Sequence, residues 1–249
     1  MVMQAIRRSK KKMRIPLIIM VIVLAVGLIG SFAIWSSPDM QSNAPGNEAN
    51  PEEQIKNLQV SIDSMENELK EKPKDYSIIK SLADVRYQQA GFYAQINDKA
   101  KSEEVFAKGL ENYLAALDYA PTELNAQGQA DIMVKAAYCA SNSGQDNTAG
   151  VLYQQAIELV PEDFAARYNY VLFLAFYLQD LNKAKEEIGR YKAILKDGDE
   201  RIAQADQLLA VIETLAKETQ DQEQTDQSNT TGQTDTTGKD SGTDDKTEE

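Results

Sequence analysis

The chain contains no histidine and one cysteine in 249 residues. Without histidine it lacks the commonest general base and the commonest metal ligand. A single cysteine supports neither an internal disulfide nor a thiolate metal cage. Basic residues are also in short supply. There are 26 Lys and Arg against 39 Asp and Glu, a net charge of −13. That balance argues against a nucleic-acid binder, which needs a basic face toward phosphate. Glycines of the middle region are scattered and form no phosphate-binding loop. No Ser-His or Cys-His pair can be assembled. The adjacent acids Glu103-Glu104 and Glu186-Glu187 diverge by about 100° on a helix and are expected on solvated faces. No cofactor, no metal site and no enzymatic activity are expected.

What charge there is falls unevenly. Residues 1–14 carry six bases and no acid. Residues 15–35 are 21 positions without a charge. As a helix they reach about 31 Å, one hydrocarbon thickness. Pro16 fits the first turn, and Trp35 closes the run at interfacial depth. Bases before the span and acids after it place 1–14 in the cytoplasm and the rest outside. The expectation is a single-pass signal anchor in the cell membrane, held by the bilayer through 15–35. A cleaved signal peptide ending near Ser31-Phe32-Ala33 is the rival, disfavoured because the apolar run is longer than an h-region. Gly27 and Ser31 could pack a helix dimer, or simply be tolerated in lipid.

Residues 36–50 read as a Pro/Asn/Ser linker. Residues 218–249 contain no apolar side chain, ten acids and two lysines. Such a stretch has nothing to bury and is expected to be a disordered acidic tail. Between them, 51–217 holds all 11 tyrosines and five of six phenylalanines. Sustained period-2 alternation is missing there, and long amphipathic stretches replace it, so this part is expected to be all-α. Asn50-Pro51-Glu52-Glu53 announces a first helix, with Ile55, Leu58, Ile62, Met65 and Leu69 as its apolar stripe. Breaks are expected near 96–98, 119–122, 143–146, 160–163, 179–180 and 197–199. Cys139 lies in an Ala-rich stretch and is expected to pack in the core.

Aligning the prolines brings out a repeat. Tyr113, Ala116, Leu117 and Pro121 superpose on Tyr153, Ala156, Ile157 and Pro161. This pattern resembles the tetratricopeptide repeat family. Carried over from the register of that family, the first helices match at Ile79, Leu82 and Ala83, at Met133, Ala136 and Ala137, and at Arg167, Tyr170 and Val171, with Ala149 and Ala184 in second helices. The resemblance implies a short right-handed solenoid of antiparallel helix hairpins, with repeats about 73–121, 122–161 and 162–198. Residues 51–72 resemble a lone second helix, and 199–217 the solvating cap of an array. The Pro73–Pro121 and Pro121–Pro161 spacings, 48 and 40 residues, exceed the ~34 of the family. The first repeat therefore needs longer helices or an enlarged turn near 91–104. The third repeat ends on Asp197-Gly198 instead of proline.

In that family the first helix of each hairpin lines a concave peptide-binding face. Carried over by register, the resemblance offers Lys80, Asp84, Tyr87 and Gln88 from the first repeat. The second offers Val134, Tyr138 and Asn142, and the third Tyr168, Leu172 and Phe176. Tyr87, Tyr138 and Tyr168 suit the groove and interhelical packing equally. Leu172 and Phe176 lean to the core. The basic clamp of the family for terminal carboxylates is not reproduced, since Asp84 stands where an Asn is needed. The expected partner is thus a protein or peptide of the envelope or secretion machinery, bound without catalysis. The alternative is a self-assembling membrane protein, a homodimer formed through the 51–72 helix and the transmembrane helix.

Overall fold

A computed structural model describes residues 50–231, with side chains through Lys217. The basic segment, the expected span 15–35 and most of the linker lie outside the described residues, as does 232–249. No helix among the described residues is long and apolar enough to cross a membrane. The unit that begins at Pro51 is all-helical in its described part. Its elements are α1 (Pro51–Glu71), α2 (Tyr76–Gln95), α3 (Lys99–Asp118), α4 (Ala126–Asn142), α5 (Asp146–Leu159), α6 (Phe164–Leu172), α7 (Leu181–Ile194) and α8 (Glu200–Thr231). A π-helical segment, Phe173–Tyr177, extends α6.

Local chemistry explains where the helices start. Asp75, Asp98, Asn125, Asp163, Asp180 and Asp199 each accept a hydrogen bond from a backbone N–H in the following turn, at 2.8–3.2 Å. These side chains satisfy N–H groups that a helix start leaves unpaired. The turns joining α2 to α3, α4 to α5, and the π segment to α7 share one backbone form. Asn97, Gly144 and Gln179 sit there at φ 59°, 73° and 54°. The left-handed residue closes the preceding helix and delivers the chain directly to the next cap. All six breaks expected from the sequence fall between helices. The long first spacing is explained as well: α2 and α3 are 20 residues each, and the turn between them is short.

Each helix packs on the next in chain order, and α4 also touches α6. The core runs continuously along the stack, from Ala83 and Phe106 through Tyr153 and Phe173 to Ile188 and Ile212. Residues singled out by spacing are buried, most of them in this core and Ala156 in a smaller cluster with Ala130 and Ala166. Ala83, Ala116, Ala136, Ala137, Ala149, Ala156 and Ala184 are all fully buried, as is Tyr113. Small side chains at these crossings let the helix backbones approach. Gly109 acts likewise: a Cβ there would stand 3.3 Å from the sulfur of Cys139 on α4. Replacing Ala156 with leucine is therefore expected to destabilise the domain by about 1–3 kcal/mol through overpacking. Urea denaturation of the variant and its parent measures this, and equal midpoints would mean a wrong register.

Two features differ from expectation. Glu187 is not on a solvated face. It lies on the same side of α7 as Ala184, Ile188 and Tyr191, and is 5% exposed. Its carboxylate pairs there with Arg167 of α6. The second difference concerns α8, whose backbone helix continues past Lys217 to Thr231. Ala205, Leu208 and Ile212 bury its first half. Beyond Lys217 the backbone stays helical although the sequence there has no apolar side chain to bury.

Candidate functional site

The residues expected to line the face come from α2, α4 and α6. Of the ten, only Gln88 is exposed, and the other nine are half-buried. At the centre is an aromatic triangle. Tyr87 of α2 meets Tyr138 of α4 with ring centroids 5.3 Å apart. Both rest on buried Phe106 of α3, at 6.1 and 5.7 Å and near-perpendicular to it. Edge-to-face contacts of this kind fix ring orientation as well as burying area. Burial, reinforced by the Tyr138 hydroxyl nearby, pushes the Tyr87 phenol well above its ordinary value. Tyr138 is raised for the same first reason.

Beside the triangle, Asp84 accepts three hydrogen bonds. Lys80 Nζ donates to Oδ2 at 2.8 Å, Lys135 Nζ to Oδ1 at 2.6 Å, and the Tyr113 hydroxyl to Oδ1 at 2.7 Å. One carboxylate thus ties α2 to both α3 and α4. Burial raises the Asp84 pKa, but the donors from Lys135, Lys80 and Tyr113 outweigh it and hold the carboxyl below its ordinary value. A depressed folded pKa stabilises the fold above the unfolded value of about 4, and that contribution is lost as pH falls through the folded value. Asp84→Asn is therefore expected to flatten the acid limb of the stability–pH profile. Thermal melts between neutral and strongly acid pH measure it. A limb as steep as the parent's would show that Asp84 is not the group responsible.

Tyr138 connects onward. Asn142 Nδ2 donates to the Tyr138 carbonyl at 2.9 Å, and the Tyr177 hydroxyl donates to Asn142 Oδ1 at 3.0 Å. Tyr177 lies in the π segment and is 40% exposed. The i→i+5 geometry explains why it was missed. Four-residue steps from Tyr168 lead through Leu172 to Phe176, whereas one wide turn moves the outward position along to Tyr177. Phe176 and Leu172 instead lie partly buried against the core, and Val134 does the same. Tyr168 is placed elsewhere. It packs on Phe164 at 5.7 Å and lines a small recess with residues of α7 and α8, including Ile188 and Leu208.

The structure thus brings Lys80, Asp84, Tyr87, Tyr138 and Asn142 together, and leaves Tyr168, Leu172 and Phe176 outside that group. Lys135 and Tyr177 belong to it and had not been singled out, and Tyr113, expected only as a repeat position, joins it through Asp84. Only tertiary packing joins Lys135 to Asp84, which is 51 residues earlier. Cys139, next to Tyr138, is fully buried. Burial pushes its thiol up to about 12, where a nucleophilic thiolate is scarce at neutral pH.

No family model and no curated protein matches the chain.

Proposed function

We propose that this chain is a membrane-anchored interaction module of the tetratricopeptide type. It presents its helical domain outside the cytoplasm and binds a segment of an envelope or secretion protein. One observation carries the reading. Tyrosines and polar groups from three successive first-helices, Tyr87, Tyr138, Asn142 and Tyr177, form one connected ledge. Tyr offers large contact area for little ordering entropy, and its hydroxyl satisfies polar groups of an incoming backbone. The recurrence of buried alanine, the shared hairpin turn and the chain-order packing support the repeat architecture. The uncharged run 15–35, preceded by six bases, supports the anchor and its orientation. Absence of histidine fits a protein that works by surface.

Photo-cross-linking in intact cells tests the binding face. A photoreactive residue at Tyr138 or Tyr177 is expected to capture one discrete polypeptide, and the same residue at Val151, exposed on α5, is not. Capture from Val151 alone would reject the face. Protease added outside the cells is expected to digest the helical domain, and its protection would reverse the topology.

A further inference from the structure

A second surface lies at the other edge of the stack and involves none of the ledge residues. Contacts between α1 and α2 define which faces they share. Gln89 Nε2 donates to the Ile55 carbonyl at 3.3 Å and to Gln59 Oε1 at 3.0 Å. Arg86 pairs with Glu66. At 100° per residue, Leu58, Met65 and Leu69 lie roughly 80° to one side of the contact face of α1. Ile78, Val85 and Phe92 lie roughly 70° from that of α2. The helices run antiparallel, so both offsets fall on the same side of the hairpin. That side is opposite α3, whose Lys101, Val105 and Lys108 close over Gln59 and Arg86 on the other. All six apolar side chains are half-buried, and none joins the main core. An array needs its terminal faces covered. At the far end α8 packs on α7; at the α1–α2 end no described helix does this.

We infer that a second copy of this chain covers the α1–α2 face, making an antiparallel four-helix bundle from two hairpins. Three observations select this occupant. First, Leu58 and Met65, and Ile78, Val85 and Phe92, recur at seven-residue intervals, the spacing that interdigitates with a like helix pair. Second, the α2 set is symmetric about Val85. A two-fold axis through Val85 sets Ile78 against Phe92 of the second copy and Val85 against itself, as an isologous interface requires. Third, the flanking row of α1 is Gln54, Ser61 and Glu68, and that of α2 is Ser81 and Gln88, so its one charge, Glu68, lies at the end of the face nearest the α1–α2 turn. The two-fold axis through Val85 sets the turn end of one copy against the opposite end of the other, so the two Glu68 carboxylates stay apart and two copies of a chain with net charge −13 meet there without direct charge repulsion.

The test uses the full chain in detergent. Light scattering on the eluting protein is expected to give twice the mass of the chain. Val85→Glu is expected to give the single mass with the helical circular-dichroism signal retained, and Thr122→Glu, on an exposed loop, to remain dimeric. Val85→Cys is expected to form a disulfide-linked dimer on mild oxidation, which decides the matter should Val85→Glu fail to fold; buried Cys139 supplies no background. A monomeric parent at high protein concentration overturns the inference. So does a dimer that survives Val85→Glu and gives no Val85→Cys cross-link, because association would then run through another segment such as 15–35.

Discussion

Replacing Glu187 with alanine is expected to cost about 3–5 kcal/mol of domain stability. The reason is burial. Arg167 and Glu187 side chains are 9% and 6% exposed, so removing the acid leaves a guanidinium with no water to replace it. Arg167 retains only its bond to the Pro161 carbonyl, at 2.8 Å, and the face of Tyr191, at 5.4 Å. Neither neutralises its charge. The pair also ties α6 to α7 across the recess lined by Ile188 and Leu208, so the loss should loosen the C-terminal end of the stack first. Replacing both residues together, Arg167→Met with Glu187→Leu, is expected to be far milder, since the desolvation cost disappears with the charges. Urea denaturation of Arg167→Met, Glu187→Leu and the double variant forms the cycle that isolates the pair. A cost below about 1 kcal/mol for Glu187→Ala is the behaviour of a solvent-exposed pair and would refute the burial.

Phe106→Ala is expected to be comparably severe, about 3–5 kcal/mol by the usual cost of deleting a buried aromatic ring. Phe106 is 3% exposed and touches both Tyr87 and Tyr138. Its loss therefore removes core and also the floor that orients the ledge. Phe106→Leu separates the two effects. Leucine fills much of the space and should recover most of the stability. It has no ring edge to offer the two tyrosines, so partner binding should weaken even where folding is intact. Thermal melts and binding on the same preparations distinguish these outcomes. Equal binding by Phe106→Leu and the parent would mean that the tyrosines do not depend on this floor.

The chain discloses its local decisions readily and its long-range ones poorly. Helix starts are legible because an Asp or Asn side chain caps the N–H groups beside it in sequence, as at Asp98 and Asn125. The crossings are legible because Ala116 and Ala156 recur at one offset from Tyr113 and Tyr153. Glu187 was misread because a pair of adjacent acids looks solvated until its partner, 20 residues away, is brought across the α6–α7 turn. Asp84 was read as one groove position; its three donors, drawn from α2, α3 and α4, show it to be a brace. Tyr177 was missed for a backbone reason, since a single π turn leaves no mark in composition yet shifts every later position on the face. The continuation of α8 beyond Lys217 is invisible to an argument from burial, because that segment is helical without apolar side chains.

The proposed binding face is tested most directly by comparing arginine substitutions on the ledge and on α5. Tyr177→Arg places a long charged side chain on the ledge, and Val151→Arg places the same group on exposed α5. Affinity for the polypeptide captured from Tyr138 should fall at least tenfold for Tyr177→Arg, about 1.4 kcal/mol, and stay at the parent value for Val151→Arg. Unchanged affinity for Tyr177→Arg together with loss for Val151→Arg would place binding on α5 instead of the ledge and contradict the proposal.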